Sequence, residues 1–394
     1  MRGLRVQVVE SLEAFADLAG PWSELVEQCP RPSVFLTHDW YRCWWEAFGE
    51  RLRPAILCAR EGEKLVGAAA LGAEAARFRG LPIRRLGFPL NGVTGEADFL
   101  VPPWRQDAFD ALLEHIVGRG RWHLLELRRM PCDSPHWPWL MEAARRLDLA
   151  VTVRPDNRVP IIPIQGDWQG FLATRSSGFR KTIRRRLGRI RHCRQEVRVE
   201  RLARTPDILA ALPGMFRVSA NSWKSRRGVA LTDQPRAREF YRLLSRRLGD
   251  ADQVDLWMLH IGSVPVAFEY HLRFAGVSYP IRADFDERYA ELSPGAHLEY
   301  EILRRLYQDP ARCVREYNTC ADGYAYELKW TDLIRPQSRL WVFPPTPYGR
   351  LLHLLSRVHR PRRGVDEAID SCRQRSLRRH HRPAAKGVAS CQEV

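Results

Sequence analysis

The chain reads as an α/β protein of two tandem lobes, each a mixed, mostly antiparallel sheet flanked by helices. Three observations lead there. Apolar residues alternate through Leu256, Met258, Val264, Val266, Phe268 and Tyr270, with turn signals at Gly262 and Gly276, as in a meander of antiparallel strands. From Ala296 the spacing changes to Leu298, Ile302, Leu303 and Leu306, which gives a helix one apolar face. The hairpin segment GSVPVAFEYHL in this half aligns with GEKLVGAAAL in the first, Gly262 on Gly62 and Val266 on Val66. Both copies stand two strands before a glycine-bearing connection and a helix, so a duplicated α/β unit is the economical explanation.

In the first half, Leu4–Val9 reads as a strand and Leu12–Gln28 as a helix. In SVFLTHDWYRCWWEAFG, Thr37 or Asp39 can cap a helix whose Trp40, Trp44 and Phe48 recur at i, i+4, i+8; core packing is the favoured reading of that stripe. PAILCAR and KLVGAAAL form a hairpin through Glu61-Gly62-Glu63. RRLGFPL and ADFLV read as further strands, followed by a helix from about Gln106, the strand WHLLELRRM, a helix in WLMEAARRLDLAV and the strand VPIIPI. The expected divisions are residues 1–165, 166–343 and a basic, partly disordered tail over 344–394.

With 394 residues, 45% of them hydrophobic, the chain can bury two cores. The N-terminal MRGLRVQVVESLEAF lacks an uninterrupted apolar h-region, and no apolar run reaches the length of a bilayer span. Nine cysteines without a Cys-x-x-Cys pair indicate neither a zinc site nor a disulfide framework, so a cytoplasmic, metal-free protein is expected. The net charge of +17 rests almost wholly on arginine and suits anionic partners: phosphorylated cofactors, nucleic acid or an anionic membrane face. Arginine richness also follows from genome base composition alone. Charge is densest in ATRSSGFRKTIRRRLGRIRHCRQ, where Phe179, Ile183, Leu187 and Ile190 form an apolar stripe and Arg184, Arg185, Arg186 and Arg189 cover other faces. Such a helix is either a solvated amphipathic one or a surface for phosphate, tRNA or lipid headgroups.

Leu292-Ser293-Pro294-Gly295-Ala296 joins the meander to its helix. Ser293 suits an N-cap, Pro294 the first helical turn, and Gly295 a close approach by a ligand. Unpaired N–H groups at such a start, at Ser293, Gly295, Ala296 and His297, make a ready site for a pyrophosphate, although many Ser-Pro-Gly helix starts bind nothing.

SPGAHLEYEIL after a strand pair, then a strand, then Tyr326-x-x-x-Trp330 with Thr331 behind it, resembles the GNAT acyltransferase superfamily. More narrowly it resembles two-lobed proteins of the cellulose-biosynthesis-type acetyltransferase branch, related to Fem-type aminoacyl transferases. VFLTHDWYRCWWEAFG, the hairpin at VGAAAL, FRKTIRRRL and Trp223 fall where that branch has similar segments, so the resemblance spans roughly residues 5–340. It implies two tandem GNAT-like lobes and an N-acyltransferase of envelope or polysaccharide biosynthesis. The donor would be acyl-CoA, as a co-substrate and not a tightly bound cofactor, or an acyl carrier protein. The acceptor would be an amine of a small molecule, sugar or lipid precursor. The alternatives are a Fem-like enzyme using aminoacyl-tRNA and a non-catalytic GNAT-fold binding module with a basic surface. The branch often carries Tyr-Lys-x-x-Trp; here Glu327 holds the lysine position and Lys329 follows two residues on.

Amide formation from a thioester requires a positioned amine, an acceptor for its proton, and stabilisation of the developing oxyanion. The candidates for that chemistry are Asp322, Tyr326, Lys329, Glu269 and Asp284, with Asp286 beside them. Trp223, Lys224, Tyr279, Trp330, Arg184 and Arg185 are the candidate substrate contacts.

Overall fold

Alternation and turn chemistry translate directly into the first strands. The computed structural model describes residues 3–357 apart from Arg51, His192, Arg194, Arg312, Tyr324 and Ala325. Strand β1 (Leu4–Val9) leads to α1 (Leu12–Ala16), capped by the Ser11 hydroxyl, and α2 (Ala19–Glu27), so the single helix expected here is two, broken at Asp17 and Leu18. Thr37 caps α3 (His38–Phe48) by accepting from the Trp40 N–H at 3.3 Å. Then come β2 (Arg53–Glu61), β3 (Lys64–Phe78), β4 (Leu81–Gly87), α4 (Gln106–Arg119), β5 (Leu124–Pro131), α5 (His136–Arg146) and β6 (Ala150–Pro163). ADFLV is irregular, with one bridge from Leu100 to Ala68.

The second half repeats this order. After α6 (Trp168–Ala173) and the basic α7 (Ser177–Arg191) come β7 (Val197–Leu202), α8 (Thr205–Ala220), α9 (Pro235–Arg247), β8 (Val254–Ile261), β9 (Val264–Phe274), β10 (Val277–Phe285), α10 (Pro294–Gln308), β11 (Glu316–Asn318), β12 (Ile334–Phe343) and α11 (Pro347–Arg357). The two hairpins aligned in the sequence match in detail. Each has a two-residue loop whose first position is a glycine with positive φ, +62° at Gly62 and +59° at Gly262, the sign a type II′ turn requires. Each also has a register shift two residues before the loop, at Ala59/Arg60 and Leu259/His260.

Among the described residues twelve strands form one sheet, ordered β1-β2-β3-β4-β5-β12-β6-β11-β10-β9-β8-β7. The order is palindromic about the antiparallel β12–β6 pair. The parallel β4–β5 contact is mirrored by the parallel β10–β11 contact, and both need a helical crossover, supplied by α4 and α10. Each half places its last strand against the other half: β12 pairs with β5, and β6 pairs with β11. The lobes therefore share one sheet.

One apolar core joins the lobes across the face carrying α2, α3, α8 and α9. The tryptophan stripe of α3 is core, with Trp40 and Phe48 packing on Phe240 of α9 at 5.3 and 5.2 Å. The opposite faces carry separate cores, under α4 and α5 in the first lobe and under α7 and α10 in the second. In α7 the expected stripe Phe179, Ile183, Leu187 and Ile190 is buried, while Lys181, Arg184, Arg185 and Arg189 are exposed. Of the tail, α11 extends through Arg357, and the expectation of disorder beyond it lies outside the described residues.

Strand exchange makes a testable demand. Leu340 of β12 is fully buried, yet in the first lobe's core. Leu340→Ala is expected to cost about 2–5 kcal/mol in urea unfolding. The fluorescence and circular-dichroism transitions should stay coincident, because neither lobe's sheet is complete alone; two separated transitions would contradict the shared core.

Candidate active site

Strands β10 and β11 pair only at Val277↔Glu316 and Ser278↔Tyr317, while β10 continues against β9 to Phe285. Past Ser278 the two parallel neighbours part, leaving a gap that faces α10. The first lobe has no equivalent opening. There the chain after β4 returns beside β3, with mutual N–H···O bonds between Ala68 and Leu100 at 2.8 and 2.9 Å, and Ala97 N–H donates to Arg129 on β5 at 3.2 Å. Residues 97–100 thus stand beside β3 where the second half of β10 stands beside β9, and the Ala97 bond to β5 bridges the space that has no such bridge between β10 and β11.

The turn at the mouth of the gap differs from the simple cap expected. Ser293 stands at the N-cap position with φ +56° and makes no side-chain cap. In that left-handed conformation its hydroxyl turns toward α7, where Arg189 Nη1 lies 3.5 Å from Ser293 Oγ and 3.4 Å from the Glu291 carbonyl. Pro294 opens the helix, and Ala296 packs against the core below. A Cβ added at Gly295 would meet only the Phe285 ring, at 3.4 Å, so its other side is open. The basic helix and the turn thus form one positively charged corner.

On the sheet face below α10 lies a buried polar cluster. Glu269 of β9 accepts from Tyr317 Oη at 3.3 Å and bonds His271 Nε2 at 3.0 Å; His271 Nδ1 bonds Ser278 Oγ at 2.9 Å. Glu299 of α10 faces the same space beside Glu269, Glu327, Arg186 and the Trp330 indole. Burial raises the carboxyls of both Glu269 and Glu299, and for Glu299 the Glu269 charge adds to it. Burial pushes His271 down to about 3, so its imidazole is neutral. Tyr317 is raised well above its ordinary value, first by burial and then by the two glutamates. Tyr326 exposes part of its ring but turns its hydroxyl inward, donating to Glu327 at 3.0 Å, and burial with that carboxylate raises it as well. The cluster holds protons near neutral pH on groups that ordinarily release them, the setting in which a carboxyl serves as general base.

The other face holds a second, compensated network. Asp284 accepts from Ser219 Oγ at 2.8 Å and Arg282 Nε at 2.9 Å and pairs with Lys224, whose Nζ also donates to the Ala283 carbonyl at 2.8 Å. Burial lowers the Lys224 ammonium, and Asp284 opposes that shift. The bulge at Pro280/Arg282 turns Arg282 and Asp284 to this face, the one to which Tyr279 and Ile281 also point. Arg227 stacks on Trp223 at 4.8 Å, and Asp286 is held by Asn221 and Arg288.

The structure therefore brings together Glu269, Tyr326 and Trp330, with Ser293 to His297 above them. It sets Asp284, Lys224 and Trp223 apart across the sheet. Tyr279 is buried edge-on to Phe35 of the first lobe at 5.2 Å, within the shared core. Trp330 is buried edge-on to Phe179 of α7 at 4.7 Å. Asp322 is exposed and accepts from the Arg158 N–H at 2.9 Å, which ties its turn to β6; Lys329 is exposed. Arg184 bonds the Arg180 carbonyl and Arg185 is exposed. Sequence reasoning missed Glu299, His271 and Tyr317. Glu299 did carry a signal: it shares the helical stripe of Leu303 and Leu306, a lone acid on an apolar face.

Residues 177–327 match the family model described as an acetyltransferase (GNAT) domain, and this segment holds the gap, the turn and the glutamate cluster. The chain thus carries a segment similar to the acetyltransferase domain of the GNAT superfamily. Its fold is similar to that of the crystal structure of FemX, at 10% identity over 89% of this chain and 100% of that one, with a TM-score of 0.58. A conserved protein of unknown function from Bacteroides thetaiotaomicron is similar at 12% identity over 86% of this chain and 100% of that one, TM-score 0.54. So is the C-terminal domain of a putative lysylphosphatidylglycerol synthetase from Agrobacterium fabrum, at 12% identity over 89% and 100%, TM-score 0.52. No curated protein matches the chain in sequence. Among its described residues the chain has no helix long and apolar enough to cross a membrane.

The buried carboxyl predicts a pH signature. Glu269 binds its proton more tightly folded than unfolded, so the protein should lose stability as pH rises above the ordinary carboxyl value of about 4.3 toward the raised folded one. Glu269→Gln should flatten that decline in denaturant titrations at a series of pH values; parallel curves for the two proteins would contradict the assignment.

Proposed function

We propose that the enzyme transfers an acyl group from acyl-CoA, or an acyl carrier protein, to an amine of a small molecule, sugar or lipid precursor, in the cytoplasm. The observation that carries this is the parting of β10 and β11 beyond Ser278 and Tyr317, with the α10 N-terminus and Arg189 at its mouth and Glu269 at its floor. A narrow gap between parallel strands offers unpaired backbone groups to an extended thioester arm. The open side of Gly295 and the N–H groups of Gly295 and Ala296 suit its phosphates, whereas the expected N–H groups of Ser293 and His297 already donate to the Ala290 and Ser293 carbonyls at 3.0 and 3.2 Å. We read residues 1–165 and 166–343 as the two lobes, the second carrying the donor.

In this reading the amine nitrogen forms a bond to the thioester carbon, the carbon–sulfur bond breaks, and the sulfur leaves with the electron pair. The amine proton passes to the carboxylate form of Glu269, whose raised pKa matches it to that task near neutral pH. Glu299 stores or relays the same proton. Tyr326 and Tyr317 keep their hydroxyl protons, so either, on turning its O–H away from Glu327 or Glu269, can donate to the developing oxyanion or the departing sulfur. Trp330 shapes the wall, Lys329 and Asp322 stand at the rim, and Asp284 with Lys224 and Trp223 supports the opposite side of β10.

A second reading rests on one observation, the exposed Lys181, Arg184, Arg185 and Arg189 beside the donor turn, which suit the backbone of an aminoacyl-tRNA.

Gly295→Val should leave the fold intact and weaken acetyl-CoA binding at least about tenfold, roughly 1.4 kcal/mol. Glu269→Gln should spare donor binding and lower turnover. Calorimetric titration with acetyl-CoA and a long-chain acyl-CoA is the check. Heat from neither, together with salt-sensitive tRNA binding that disappears in Arg184→Gln/Arg185→Gln, would replace the first reading by the second.

A further inference from the structure

The first lobe contains a cavity of about 440 Å³ between the segment after α2, the 96–103 segment and the loop joining β5 to α5. Its charges are committed, with one exception. Arg31 is bidentate on Asp133, with both N–H···O distances 2.8 Å. His136 contacts Asp98 through Nδ1 and the Val101 carbonyl through Nε2, each at 2.9 Å. Two acceptors on the two ring nitrogens require an imidazolium. Burial opposes that charge, but Asp98 and the carbonyl outweigh it and raise the His136 pKa. Arg335, the other nearby cation, is bidentate on Glu316 at 2.9 and 3.0 Å.

Glu96 is the exception. It lines the cavity and is only 6% exposed, and its Oε2 has no hydrogen-bond partner among the described residues. The Ser33 hydroxyl lies within reach of the carboxyl, and burial raises its pKa. A buried carboxylate oxygen without a donor is costly, and a ligand donor removes that cost. The surroundings define the donor. With Asp133 and Asp98 matched by Arg31 and His136, Glu96 is the charge left to disfavour an anion, and Leu36, Phe99, Pro103 and Pro131 offer an apolar wall to a carbon chain.

The cavity wall is linked to the acyl-transfer gap through buried side chains. Ser33 reaches the hydroxyl of Tyr279, the residue directly after the last β10–β11 pair, and the Glu96 charge acts on Tyr279 and on Cys320, two residues beyond β11. Tyr279 points to the face opposite α10, so the cavity approaches the gap from the side away from the donor turn.

We propose that this cavity recognises the acceptor, and that the acceptor carries an aliphatic ammonium group seated on Glu96 Oε2. An ammonium held on a carboxylate has no lone pair to offer. The nitrogen that is acylated is therefore a second amine, and the acceptor is a diamine-type molecule. Its role as acceptor rests on the acyltransferase reading; the binding itself does not.

The test separates the two. The full chain without any donor is titrated calorimetrically with 1,5-diaminopentane, and with 1,5-pentanediol and glutarate as neutral and anionic counterparts. The diamine should bind and the other two should not, and Glu96→Gln should weaken the diamine at least about tenfold. In wild-type crystals soaked with the diamine, one nitrogen should lie within hydrogen-bond distance of Glu96 Oε2, a readout that needs no variant. Absence of diamine binding, equal binding of glutarate or the diol, an unaffected Glu96→Gln protein, or a soaked nitrogen away from Glu96 would each overturn the proposal. Diamine binding without any response to acetyl-CoA would uphold the site and overturn the CoA reading instead.

Discussion

The antiparallel contact between β6 and β12, running from Ile334↔Pro160 to Phe343↔Ala150, is the hinge of the architecture. Remove it and the one sheet parts into two of six strands, each ending on the strand the other half supplied, β12 on β5 and β6 on β11. Backbone groups along one side of β6 and of β12 would be left without partners, a cost the paired sheet avoids. The exchange also fixes where the second lobe's gap can open. β11 is only three residues long and is held on its far side by β6, so it follows β10 no further than Ser278.

The same fold thus serves two ends. In the first lobe residues 97–100 pair across the space between β3 and β5, and the sheet there is continuous. In the second lobe that space is left between strands, with a helix start and arginines at its rim. The same order of elements thus leaves the space bridged by Ala97 in the first lobe and open in the second. What remains in the first lobe is the cavity beside that segment, where Glu96 and Asp98 project.

Electrostatics gives the two sheet faces of the second lobe different characters. On the α8 side Asp284 is matched by Lys224 and Arg282, so the charges are neutralised and the network is structural. Under α10 Glu269 meets a neutral imidazole and a tyrosine, and Glu299 sits near Arg186 but also near other acids. Such groups are costly in a folded core and are concentrated where proton affinity matters to chemistry.

The sequence by itself determined the duplicated α/β unit, the paired hairpins at Gly62 and Gly262, the buried stripe of α7, the aromatic core face of α3 and the strand-turn-helix order around Ser293. These are local: period, turn glycines and caps act within a few residues, and the chain spells them out. It could not determine which residues meet at the site. Glu269 and Glu299 are separated by a strand, a turn and a helix start, and they share a space only because β9 and α10 pack face to face. Nor could it show that Tyr279 and Lys224, polar and near the meander, are consumed by the shared core and by Asp284. The strand exchange was equally hidden, because β12 carries no mark of which lobe it joins. Long-range pairing decides it, through backbone hydrogen bonds that are blind to side-chain identity.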